Sequence, residues 1–153
     1  MIKLAKIRNR NISNAKFIVG NLENTCFPRD YFDVAVIIDA LHHVPHPYNC
    51  LKEMKRISRD IILAEPNALN PIRKINELKF RNEYVKESSF TRWELEKYLQ
   101  KLGYEKITFC NYNFIPGFIP FKFIKWFENF EEKLEKAPIL KEFSGTILVI
   151  AKR

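Results

Sequence analysis

The sequence predicts an α/β fold, a parallel sheet covered by helices on both faces, and three observations carry that prediction. Val34-Ala35-Val36-Ile37-Ile38, Ile61-Ile62-Leu63-Ala64 and Thr146-Ile147-Leu148-Val149-Ile150 are apolar without alternation, as strands buried on both faces must be. Amphipathic helical patterns fill the intervals between such runs. Strand and helix signals therefore alternate along the chain, which argues against separate helical and sheet layers.

The elements come in order. Residues 2–10 read as a helix with Ile2, Leu4, Ala5 and Ile7 on its apolar side, stopped by the Asn-rich turn at 11–14. Phe17-Ile18-Val19 reads as a short strand ending at Gly20. After the 34–38 strand, Pro47 suits the first turn of a helix running to about Ile57, with Cys50, Leu51, Met54 and Ile57 inward. Thr91-Arg92-Trp93-Glu94 has the capping-box pattern, and Phe90 and Leu95 stand where a hydrophobic staple would put them. Leu95, Tyr98, Leu99 and Leu102 continue at helical spacing, and Gly103 supplies the stop. Residues 104–110 read as a strand. Some helix is expected around 72–80, within a long connection at 67–89. A further helix is expected at about 120–136, inside an aromatic insertion at about 114–137.

Composition bounds the function. The chain has 153 residues, 46% hydrophobic and 29% charged, so a single domain over 1–153 with a real core is expected. The formal net charge is +8, and Lys3, Lys6, Arg8 and Arg10 all precede the first acidic residue, Glu23. That basic end is either a solvated helix face or an anion-binding patch. The positive charge is otherwise dispersed and has no aromatic stacking platform, so no nucleic-acid partner is expected. Cys26, Cys50 and Cys110 are odd in number, with no CxxC pair. This fits a reducing cytoplasm and gives neither a disulfide framework nor a structural zinc site. His42, His43, His46 and Cys50 match no standard zinc spacing, so no metal site is assigned. Nothing reaches transmembrane length.

Four stretches then line up. Phe17-Ile18-Val19-Gly20-Asn21 is a strand with a polar turn. Phe27-Pro28 leads to Phe32-Asp33-Val34-Ala35-Val36. That strand runs into Asp39-Ala40-Leu41-His42-His43-Val44. Leu63-Ala64-Glu65-Pro66-Asn67 ends the next. In this order and spacing the chain resembles class I S-adenosylmethionine-dependent methyltransferases of the small-molecule, type 11 kind, most clearly over residues 17–71. The resemblance implies a Rossmann-like sheet with S-adenosylmethionine as cofactor. It implies that Asn21 would meet the adenine amino group, Leu22 would pack on the adenine face and Glu23 would lie beside it. It also implies that Asp39, Ala40 and Leu41 would line the methionyl end, and that His42 or His43 would face the substrate. Glu65 and Asn67 would border the same crevice.

The departures shape the expectation as much as the matches. The family opens with a glycine-rich turn and a second strand ending in an acidic residue. This chain has four glycines, Gly20, Gly103, Gly117 and Gly145, and no G-x-G. The expected fold is thus an incomplete methyltransferase sheet lacking its first two strands, with roughly 40 to 60 residues of βαβ scale missing. Residues 17–19 would then pair with the 34–38 strand, pair with another chain, or leave an apolar edge exposed. Either a rearranged small sheet or a protein partner (or a second copy) supplying the other half is expected.

Methyl transfer from a sulfonium requires proximity, orientation and, for a protonated acceptor, a base. His42 or His43 could serve as that base; ordinary loop histidines are the alternative. The segment holding Phe114, Phe118, Phe121, Phe123, Trp126, Phe127 and Phe130 either packs on the sheet or, beside Lys122 and Lys125, faces a membrane surface or a lipid-like acceptor. Two functions stand: a methyltransferase for a small or lipid-like acceptor, needing the missing half, or a non-catalytic remnant or subunit that binds a protein partner.

Overall fold

In a computed structural model of the chain, the structure describes residues 2–71, 73–75, 89–112, 133, 137 and 140–153. The expected helix at 72–80 and the aromatic segment at 114–137 lie largely outside them. The helices are α1 (Ile2–Arg8), α2 (Pro47–Ile57) and α3 (Arg92–Lys101). The strands are β1 (Phe32–Ile38), β2 (Ser58–Pro66), β3 (Lys106–Tyr112) and β4 (Thr146–Lys152).

These strands form a four-stranded sheet in the order β1-β2-β4-β3. β1 and β2 are parallel, with Val36 opposite Ile62 and Ile38 opposite Ala64. β4 runs antiparallel to both β2 and β3, so the sheet is mixed rather than all parallel. Uninterrupted apolar runs report that both faces are apolar; they do not report strand direction.

Side-chain alternation sorts the sheet into two faces. On one, Ile37, Ile61, Leu63, Ile147, Val149 and Ala151 join Cys50, Leu51, Met54 and Ile57 of α2 and Leu95 and Leu99 of α3 in one buried cluster. α2 starts at Pro47, whose missing N–H costs nothing in the first turn. α3 carries the full capping box: Thr91 accepts from the Glu94 amide, and the Glu94 carboxylate accepts from the Thr91 amide at 2.8 Å. Phe90 and Leu95 are both buried, as a staple requires. Gly103 has φ +75, a left-handed stop that a side chain adopts only with strain.

The opposite side of β1 differs sharply. Val34, Val36 and Ile38 are 42%, 57% and 62% exposed. Among the described residues β1 is also an edge strand of the sheet. The Asp39 amide donates to the Ala64 carbonyl just beyond the strand. Bonding residues alternate in a parallel ladder, so Asp33, Ala35 and Ile37 address β2. The backbone groups of Val34, Val36 and Ile38 therefore point away from β2, where no strand of the described residues pairs with them.

Residues 17–19 correct the sequence reading. They form no strand, and Ile18 and Val19 are 58% and 81% exposed. Three apolar residues predict a strand only where a neighbouring strand accepts their hydrogen bonds, and β1 does not pair with them. Leu4 and Ile7 of α1 are exposed as well. Among the described residues, exposed apolar side chains thus concentrate between Leu4 and Ile38, whereas the buried cluster runs from Ile37 to Ala151.

Candidate active site

The candidate site lies beyond the carboxyl ends of β1 and β2, where open α/β sheets receive ligands. β1 runs into Asp39, which adopts φ +47, a left-handed turn that Asp tolerates better than most residues. A 3-10 turn, Leu41–His43, comes next, and α2 starts four residues later at Pro47.

Glu65, next to the end of β2, holds this connection. Its side chain is fully buried. Oε1 accepts the amides of Ala40 at 3.0 Å and Leu41 at 2.8 Å. Oε2 lies 2.7 Å from Nδ1 of His42. A carboxylate accepts only, so Nδ1 carries the proton of that contact. Next along the chain, Asn67 donates to the Glu142 carbonyl at 2.8 Å and accepts from the Leu69 amide at 3.0 Å. Asn70 donates to the Phe143 carbonyl and accepts from the Arg73 amide. These two asparagines tie the loop after β2 to the turn before β4.

The candidate residues fall into two groups. Asn21, Leu22 and Glu23 form a tight turn in which the Asn21 side chain accepts the Glu23 amide at 2.9 Å. The Glu23 carboxylate reaches His46, accepting its amide at 3.0 Å and meeting its Nδ1 at 3.1 Å. This turn is thereby fastened to the start of α2. Asp39 and Ala40 stand at the mouth of the second group, the first exposed and the second half-buried. Leu41 is fully buried, with its amide committed to Glu65. The two histidines separate: His42 is buried against Glu65, whereas His43 is exposed with its ring 4.0 Å from that of His42.

Cys50 sits beneath both groups. Burial, then the carboxylates of Glu23, Glu65 and Glu53, push its thiol up to about 11. It is a protonated core residue at neutral pH, not a nucleophile. Among the described residues no group of three or more His, Cys, Asp or Glu side chains is arranged to hold a metal ion, and no helix is long and apolar enough to cross a membrane.

The family resemblance implies which residues would line the crevice, but not that Glu65 holds the Ala40–His42 connection. Glu65 is legible there only as a bordering carboxylate. The signal for more is its place in Leu63-Ala64-Glu65, in phase with the buried face of β2, where a carboxylate has to find hydrogen-bond donors.

Residues 1–60 match the methyltransferase domain family. No curated protein matches the chain. An S-adenosylmethionine-dependent methyltransferase of Thermotoga maritima superposes with a TM-score of 0.67 at 16% identity, over 99% of this chain and 70% of that one. A second, from Archaeoglobus fulgidus, gives 0.59 at 16% identity, over 94% and 71%. A chain of the Haloferax volcanii methyltransferase–activator complex gives 0.60 at 15% identity, over 94% and 64%. The chain carries methyltransferase-domain sequence in its first 60 residues and has the α/β fold of the S-adenosylmethionine-dependent methyltransferases.

Proposed function

We propose that the chain is the substrate-side part of an S-adenosylmethionine-dependent methyltransferase for a small or lipid-like acceptor, completed by a polypeptide that pairs along β1. The observation that carries this reading is the Asp39–His43 connection, anchored by Glu65 at the carboxyl ends of two adjacent parallel strands. The described residues fit one flank of the cofactor. Asn21 and Leu22 would meet the adenine, and Asp39 and Ala40 the methionyl end. With four glycines and no G-x-G, no described segment offers the close backbone approach that the ribose and methionyl carboxylate need. That share falls to the partner.

S-adenosylmethionine, held on one side by Asn21, Leu22, Asp39 and Ala40, would supply an activated methyl group for the acceptor's lone pair, with S-adenosylhomocysteine as the leaving product. The chain's contribution is orientation. His43 would take a proton from the acceptor, a reading supported by its exposure and by its ring lying 4.0 Å from that of His42. Free, widely spaced cysteines fit a reducing cytoplasm. One observation favours a second reading, a non-catalytic subunit: the exposed apolar side of β1 supports partner binding whether or not a cofactor is held.

Calorimetric titration with S-adenosylhomocysteine, on chain whose mass in solution is known, tests the proposal. Saturable binding by the chain with its partner or a second copy supports the enzyme. A folded assembly that never binds leaves the non-catalytic subunit.

A further inference from the structure

We propose that Glu65 is the positioning residue of this site. It sets both the backbone that receives the cofactor and the histidine pair that faces the acceptor. This rests on the methyltransferase reading and deepens it, giving Glu65 a role within the same connection.

A fully buried carboxylate is costly unless donors surround it, and a leucine of similar volume would fill the same space without that cost. Glu65 has its donors, and those among the described residues come from one short segment. Two consecutive amides, Ala40 and Leu41, converge on Oε1 at 3.0 and 2.8 Å, and Nδ1 of His42 meets Oε2 at 2.7 Å. Two successive backbone amides aimed at one point make an anion nest. Here the chain fills that nest with its own side chain. The Asp39 amide is taken by Ala64 at 2.9 Å. Three successive amides are therefore fastened to the end of β2, which fixes Asp39 at φ +47 and leaves its side chain exposed. The contact at Oε2 fixes the tautomer and ring plane of His42, and the His43 ring lies against that ring at 4.0 Å. One carboxylate thus orients two features that the reaction would use, without touching cofactor or acceptor.

The test uses Glu65→Ala and Glu65→Gln, with amide hydrogen exchange read on the full chain and S-adenosylhomocysteine affinity on its assembly with the partner or a second copy. In E65A the Ala40 and Leu41 amides should exchange about tenfold faster, the equivalent of one lost hydrogen bond. The amides of Ile61 and Val149 should stay protected. Affinity for S-adenosylhomocysteine should fall by about tenfold. E65Q keeps a neutral acceptor for the two amides and should recover most of both losses. E65Q also serves as the test if E65A does not fold. It should then speed Ala40 and Leu41 exchange by about threefold, since charge-assisted bonds are the stronger ones.

Unchanged exchange at Ala40 and Leu41 in a folded variant overturns the proposal. So does protection lost equally across β2 and β4, which would make Glu65 a core residue only. If the wild-type assembly binds no S-adenosylhomocysteine, the functional reading fails while the exchange data still decide the role of Glu65.

Discussion

Glu53 shows how a single buried carboxylate can organise a loop. Its oxygens accept the Thr25 amide and hydroxyl, both at 2.7 Å, and the Arg56 guanidinium at 2.7 Å. Arg56 in turn donates to the Phe27 carbonyl at 2.8 Å. The segment before β1 is thereby fastened to α2, next to the ring cluster of Phe27, Tyr31 and Phe32. Hydrogen bonding to Arg56 is the main cause that lowers the Glu53 carboxyl from 4.5 to about 2, against the opposing effect of burial. A folded value below the ordinary one means that the ionised form stabilises the fold. That contribution is complete above about pH 4.5 and is lost as pH falls toward 2. Thermal melts of Glu53→Gln should show a loss of about 2 kcal/mol at neutral pH, because Arg56 is partly solvated and softens the cost. Over the acid range the variant should lose stability less steeply than the wild type. A variant whose melting point tracks the wild type at every pH would show that Glu53 does not hold the loop in this way.

At the scale of elements, α3 is the clearest case of local sequence determining structure. Its start rests on Thr91 and Glu94, its stop on Gly103 at φ +75, and neither needs a distant residue to be read. Thr91→Ala removes the side-chain acceptor and should cost about 1 kcal/mol in chemical denaturation. Gly103→Ala should cost about 1 kcal/mol from the left-handed backbone. Its new Cβ would stand 3.3 Å from the Lys55 Nζ, a flexible end that can move aside. Two sites at opposite ends of one helix should add, so a double variant losing much less than the sum would argue against the two-cap description. α2, with Pro47 at its start, was equally legible. Strands were less so. The runs at 34–38, 61–64 and 146–150 are all present, but residues 17–19 carry the same apolar signal and form none. A strand exists only in a ladder, and the ladder depends on residues far away in sequence. The antiparallel direction of β4 was hidden for the same reason. Within the site, Asn21–Glu23 and Asp39–His43 were expected from the family resemblance. Which histidine is buried and which exposed depends on Glu65, 23 residues from His42, and no local pattern records that contact.

At the scale of the molecule, apolar surface is unevenly distributed among the described residues. Residues from β2 onward supply most of the core, while Ile18, Val19, Val34, Val36 and Ile38 stand exposed in the first quarter of the chain. On β1 this surface adjoins a row of backbone donors and acceptors at the sheet's end, a combination that recruits another strand. The proposed partner has to offer a strand for this edge and apolar side chains above it. The net charge of +8 favours an acidic partner over a second copy, because like charges oppose self-association. Val36→Lys places a charge in the middle of this surface without touching the buried cluster. It should melt within about 0.5 kcal/mol of the wild type, as exposed substitutions do. It should also abolish assembly, measured by sedimentation of the chain alone and with its partner. A fold that melts normally but no longer assembles would locate the interface on β1, and loss of S-adenosylhomocysteine binding in the same variant would show that the cofactor site spans that interface. If V36K assembles as the wild type does, the open strand is not where the molecule is completed. The exposed apolar residues of α1 and of 17–19 would then be the next surface to alter.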